Sequence, residues 1–140
     1  MRYLGFDLGT RTLGTSISDL TNTIASTYKT IRFEEKKYDL LLPEIEKLIK
    51  EFNISKIVLG LPKNMNNSLG DRGLETLKFK EKLENSLNIE VVMQDERLST
   101  VEATHYMLEA DISRKKRKKK IDSLAANIIL QTYLDKERGK

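Results

Sequence analysis

Apolar residues change their spacing several times along the chain, and each change marks an element. Over 3–8 (YLGFDL) they alternate: Leu4, Phe6 and Leu8 fall on one side and Tyr3, Gly5 and Asp7 on the other, the period of a β-strand. A Gly-Thr-Arg-Thr turn at 9–12 leads into a second strand over 13–18, and a third extended segment covers about 23–33. Connections this short allow only an antiparallel meander. The spacing then becomes helical. Tyr38, Leu41, Leu42, Ile45, Leu48, Ile49 and Phe52 recur at three- and four-residue intervals, which predicts an amphipathic helix from about 38 to 52. The run Ile57-Val58-Leu59-Gly60-Leu61 has no alternation and stops at Pro62, as expected of a strand covered on both faces in a parallel pair.

A loop rich in Asn, Gly and Ser (63–73) precedes a predicted helix over about 74–87, and 89–94 (IEVVMQ) reads as a fifth strand. Ser99-Thr100-Val101-Glu102 has the form of a capping box and predicts a helix from about 100 to 110. Seven consecutive cations follow at 114–120. Adjacent like charges repel, so this run is expected to be a solvated loop, with a last helix over roughly 122–136. The order βββαβαβαα predicts the α/β class. After the meander, right-handed crossovers return the chain parallel to strand one, giving a five-stranded mixed sheet flanked by helices.

At 140 residues and 39% apolar, residues 1–140 are expected to form a single domain with a sizeable core. No run approaches the roughly 18 apolar residues of a membrane span, so no membrane partner is expected. The absence of cysteine removes disulfides and thiolate ligands and fits a reducing cytoplasm. The single histidine, His105, lies in the helix predicted after Ser99 and reads as a packing residue, which leaves catalysis to carboxylates, hydroxyls or cations. The net charge of +4 is local: without the run at 114–120 the chain is net acidic, so an anionic partner should sit near that run.

With strands one, four and five parallel, their C-terminal ends share one edge, where α/β sites usually form. Asp7 ends strand one, and Asp95-Glu96 end strand five. If strand four lies between them, its end at Gly60-Leu61-Pro62 leaves the gap unfilled. Two inter-strand spacings, about 9–10 Å, would separate the acids. Asp122 is the natural third member, because Ala125 and Ala126 one turn on would let its helix approach the sheet. A set of oxygen donors without His or Cys suits Mg²⁺ or Mn²⁺. Each acid also has a structural reading: Asp7 as a turn residue, Asp95 and Glu96 as charges before a helix N-terminus, Asp122 as an N-cap.

The segments Phe6-Asp7-Leu8-Gly9-Thr10-Arg11-Thr12-Leu13-Gly14, Gly60-Leu61-Pro62-Lys63-Asn64-Met65, Asp95-Glu96-Arg97-Leu98-Ser99-Thr100-Val101-Glu102-Ala103 and Asp122-Ser123-Leu124-Ala125-Ala126 closely resemble the YqgF family in the same order over essentially the whole chain. This is the bacterial group of pre-16S rRNA nucleases or Holliday-junction-resolvase-like proteins. The resemblance implies a ribonuclease H-like fold and a cytoplasmic nuclease, a hydrolase dependent on Mg²⁺ or Mn²⁺. Its implied substrate is the 5′ side of the small-subunit rRNA precursor, with ribosomal precursor particles or branched DNA as further partners. It places the catalytic, metal-holding acids at Asp7, Glu96 and Asp122, choosing Glu96 over Asp95. Asn66-Asn67-Ser68 departs from an Asp-Gly pair that many relatives carry in this loop.

The mechanism expected from such a triad is two-metal phosphodiester hydrolysis, with ions about 3.5–4 Å apart. Arg11 and Arg97 would hold phosphates or offset carboxylate repulsion. The backbone amides of Lys63 and Asn64 would add a contact. Arg114, Lys115, Lys116, Arg117, Lys118 and Lys119 would grip backbone phosphates without reading sequence. Two other classes compete: the hairpin Asp7–Arg11 also resembles that of actin-like ATPases and sugar kinases, which need two facing domains, and a non-catalytic RNA-binding assembly factor would carry the same charges. The phosphates of RNA and branched DNA are alike, so the sequence leaves that choice open.

Overall fold

The structure, a computed structural model, describes residues 1–62, 70–95 and 114–138, with backbone alone at 95, 114–123 and 138. Five strands, β1 (Arg2–Leu8), β2 (Thr12–Ser18), β3 (Ala25–Arg32), β4 (Ile54–Leu61) and β5 (Glu90–Asp95), form one sheet in the order β3-β2-β1-β4-β5. The first three make the antiparallel meander, and β1, β4 and β5 run parallel, with β4 in the middle. Among the described residues three α-helices, α1 (Leu42–Phe52), α2 (Asp71–Leu87) and α3 (Arg114–Arg138), accompany the sheet.

Strand alternation sorts the core into two layers. Leu4, Phe6, Leu8, Leu13, Ile57 and Leu59 pack with Ile45 and Leu48 of α1 and with Phe79 and Leu83 of α2. On the other face Tyr3, Val58 and Val92 pack against Ile129, Leu130, Tyr133 and Leu134 of α3. β4 is covered on both sides, as its unbroken apolar run predicts. Each fully buried Leu, Ile or Phe contributes about 1.5–3 kcal/mol relative to exposure.

Three boundaries differ from the sequence expectation. The segment from Tyr38 begins as a 3-10 turn (Tyr38–Leu41), and the α-helix starts at Leu42 with Pro43 in its first turn. A continuous α-helix from Tyr38 would put Pro43 where it must bond the Asp39 carbonyl, and it has no N–H to do so. Helix α2 starts at Asp71, ahead of the expected position 74, and both α1 and α2 end on left-handed asparagines, Asn53 and Asn88.

The third difference is the largest. The cationic run is not a loop: α3 is continuous from Arg114, so the whole run is helical and Asp122 lies inside the helix rather than at its N-cap. Lys and Arg are good helix formers, and once residues 125–134 are fixed on the sheet, adding each further turn costs little. The predicted helix at 100–110, its capping box, His105 and residues 63–69 of the Asn-rich loop lie outside the described residues. Among the described residues no helix is long and apolar enough to cross a membrane.

Candidate active site

Register brings the chemistry to one line across the sheet. Phe6 pairs with Leu59 and Leu59 with Met93, and Gly60 pairs with Gln94. One residue on from Phe6, Asp7 therefore stands level with Gly60 and Gln94. Odd positions of β1 and even positions of β4 and β5 face α3, because Tyr3, Val58 and Val92 do so. Asp7 is half-buried on that face, Gly60 adds no side chain, and Gln94 is buried.

Helix α3 crosses this face antiparallel to β1. The Tyr3 and Tyr133 rings meet edge-on at 6.2 Å. Further along β1, a Cβ on Gly5 would lie 2.6 Å from Leu130 Cβ and 3.0 Å from the Ala126 carbonyl oxygen. Ser16, the β2 partner of Gly5, donates its Oγ hydrogen to that carbonyl at 2.8 Å. Ala125 and Ala126 are fully buried there, so small residues do allow the close approach. The next α3-facing residue of β1 is Asp7, about 6.6 Å on, and one turn back along α3, about 5.4 Å, is Asp122. Strand and helix thus step together toward these two acids.

The backbone after Asp7 is tightly held. Gly9 N–H donates to the Thr12 carbonyl at 2.7 Å, and the Leu8 carbonyl accepts a hydrogen bond from Arg72 Nη2 at 2.6 Å. Arg72 lies in the first turn of α2, sixty-four residues away in sequence. Nothing in the spacing of its neighbours marks it, and the sequence reading does not find it. Next to it, Tyr38 donates its hydroxyl to Glu75 Oε2 at 2.8 Å, and Lys36 pairs with Glu75 at 3.4 Å. The Tyr38 bond, acting first, and the Lys36 charge hold the Glu75 carboxyl below its ordinary pKa, although partial desolvation opposes them.

Of the other expected residues, Arg11 sits exposed in the β1–β2 turn and pairs with Glu35 at 3.3 Å. Lys63, Asn64, Glu96 and Arg97 lie outside the described residues. Arg114 to Lys119 form the opening turns of α3, described as backbone. Among the described residues no group of three acids or histidines is close enough to hold a metal ion; of the expected triad only Asp7 contributes a described side chain.

A mixed sheet in this strand order, flanked by helices, is the ribonuclease H-like architecture of the resolvases. Thermus thermophilus RuvC in complex with a Holliday junction substrate matches with a TM-score of 0.62 at 13% identity, over 100% of this chain and 97% of that one. Fowlpox virus resolvase in complex with Holliday junction DNA matches with a TM-score of 0.61 at 11% identity, over 98% and 99%. At these identities the likeness is one of fold. The sequence goes further: the model of the RuvX family, described as Holliday junction resolvase, matches residues 1–136, and the chain belongs to that family. A Staphylococcus epidermidis protein named "Putative pre-16S rRNA nuclease" is 50% identical over 135 residues, 96% of this chain and 95% of that protein. A protein of the same name from Caldanaerobacter subterraneus subsp. tengcongensis is 49% identical over 140 residues, 99% of each.

Proposed function

We propose that this chain is a metal-dependent nuclease that hydrolyses phosphodiester bonds at the 5′ end of pre-16S rRNA, with Asp7, Glu96 and Asp122 as the acids that hold the metal. The observation that carries the chemistry is the convergence of Asp7 with the turn of α3 bearing Asp122, across an edge that Gly60 leaves open. The choice of Glu96 as third acid rests on the family resemblance. The choice of RNA rests on the name shared by relatives about half identical over nearly the full chain.

The donor chemistry fits the ion. Carboxylate oxygens at a half-buried strand end, without His or Cys, suit Mg²⁺ or Mn²⁺. When bound, such ions supply Lewis acidity to the attacking water and the leaving oxygen. The backbone of Asp7 is held by its pairing with Gly14 and by the Gly9 turn, which fixes the point from which its carboxylate reaches the edge. Gly60 keeps the substrate's path to the edge clear. The cations from Arg114 to Lys119 lie close together on one helix, an arrangement of like charges that backbone phosphates would relieve. Arg11, Arg97 and the amides of Lys63 and Asn64 are proposed to hold further phosphates. The substrate of this reading is made in the bacterial cytoplasm, and there we place the activity, on precursor RNA or precursor ribosomal particles.

A side-by-side assay on 5′-extended 16S precursor and on a four-way DNA junction, each in Mg²⁺ and in Mn²⁺, tests the proposal. The wild-type chain is expected to cut the RNA, and Asp7→Asn to abolish cutting with its melting temperature unchanged or raised. Cleavage of the junction alone would make it a resolvase. Unchanged RNA cutting by Asp7→Asn would remove Asp7 from the site.

A further inference from the structure

The peptide joining Leu8 to Gly9 is the second link after Asp7. It is trans, so its N–H and C=O point to opposite sides of the strand. The N–H turns toward β2 and bonds Thr12. The C=O therefore turns toward β4, where the last paired residues are Phe6 and Leu59. Leu8 itself is buried, and a buried carbonyl needs a partner. The partner comes from α2: Arg72 Nη2 takes the position that the next strand no longer fills.

Arg72 is itself anchored. Thr76, buried one turn on, donates its hydroxyl to the Arg72 carbonyl at 2.8 Å, and Gly73, Phe79 and Leu83 seat α2 on the sheet. Gripping substrate phosphate is the competing role for an exposed arginine at this edge. The geometry argues against it, because Arg72 Nη2 is already committed to the Leu8 carbonyl and Glu75 balances Lys36 beside it. The patch is not a cationic surface of the kind α3 begins with.

We propose that Arg72 is a positioning residue of the candidate active site: by completing the hydrogen bonding of the Leu8–Gly9 peptide it extends the rigidity of β1 past Asp7 and fixes where the Asp7 carboxylate stands. The inference rests on the reading of Asp7 as a metal-holding acid. Arg72 touches no reacting atom in this role.

Three readouts on the full chain test it: Mn²⁺ binding by calorimetry, hydrogen exchange at the Gly9 amide, and cleavage kinetics across a salt series. Arg72→Ala is expected to weaken Mn²⁺ binding and lower kcat by about 10–100-fold, the scale of lost outer-shell partners. Gly9 should exchange faster while the α2 amides keep their protection, and the salt dependence of KM should not change. Arg72→Lys, which keeps the charge but not the planar fork, should recover only part of kcat. Glu75→Gln, which leaves the Leu8 bond in place, should keep wild-type Mn²⁺ affinity.

Wild-type Mn²⁺ affinity and Gly9 exchange in Arg72→Ala would overturn the inference while leaving the nuclease reading intact. A loss confined to KM and its salt slope would overturn it in favour of a phosphate contact. Weakened Mn²⁺ binding in Arg72→Ala, with no RNA cleavage by the wild-type chain, would uphold the positioning role and sink the nuclease reading. A wild-type chain that binds no Mn²⁺ would overturn both.

Discussion

At Gly5 a hydrogen atom stands where any other residue would drive a methyl group into α3. The nearest obstacles are the Ser16 Oγ, the Leu130 Cβ and the Ala126 carbonyl. None is the free end of a flexible side chain, so helix or strand must shift to make room. Gly5→Ala is expected to cost about 1–3 kcal/mol in urea denaturation, the range for overpacking. Because the displaced helix also carries Asp122, cleavage should fall further than stability does. A fully stable and active Gly5→Ala would show that α3 does not set the site. At the far end of the same contact, Lys56 Nζ bonds the Tyr133 hydroxyl at 2.9 Å and lies 5.0 Å and 5.3 Å from the Tyr3 and Tyr133 ring centroids. Burial alone would depress its pKa, but the Tyr133 and Glu90 hydrogen bonds outweigh burial and raise it, so the cation stays in place. The helix is thus fixed at Tyr133 and again at Ala126, whose carbonyl Ser16 bonds.

Helix α3 joins two functions that the sequence separates into loop and helix. Its apolar half, from Ala125 to Leu134, packs on the sheet and sets the backbone position of Asp122, while its cationic half continues the same helix back to Arg114. Seven residues of helix rise about 10 Å, so the charges are spread along a helix rather than a loop. Replacing Lys115, Lys116, Lys118 and Lys119 by Gln keeps helix propensity and removes four charges. RNA affinity measured by anisotropy should drop, and the slope of log K against log salt should shrink by about 0.7–0.9 for each replaced cation that contacts a phosphate. Unaltered affinity and slope would reduce the run to a helical extension. The helical state of 114–120 is not legible in the sequence, because the local charge repulsion is visible there and the packing of residues 125–134 that stabilises the helix is not. Helix α1 shows the converse: its apolar period was legible from Tyr38 onward, but Pro43 decides where α-helical bonding starts.

At the scale of the whole molecule, the Tyr38–Glu75 bond ties the turn after β3 to α2, and its energetics should show in alkaline unfolding. Burial first, and then the bond to Glu75, push the Tyr38 hydroxyl from 10.0 up to about 12. Above pH 10 the unfolded chain ionises this group while the folded chain does not. The stability it contributes is therefore complete below about pH 10 and is lost as pH rises toward 12. Melting temperature should fall over that window in the wild type and less steeply in Tyr38→Phe; parallel curves would assign the fall to other groups. Much of the architecture was written in the chain itself. Alternation in β1, the unbroken run of β4 and the short turns of the meander specify the strands, the antiparallel pairing of the first three and the faces of the sheet, because periods of two and 3.6 residues dictate which side chains can be buried together. The sequence also placed Asp7 at a shared strand edge and named its partners through the family resemblance. Only the tertiary structure decided that Gly5 and Ser16 seat α3 beside Asp7, that the cationic run is a helix, and that Arg72 completes the strand end. Each of those depends on a contact between residues far apart in sequence, and local spacing carries no signal for a distant partner.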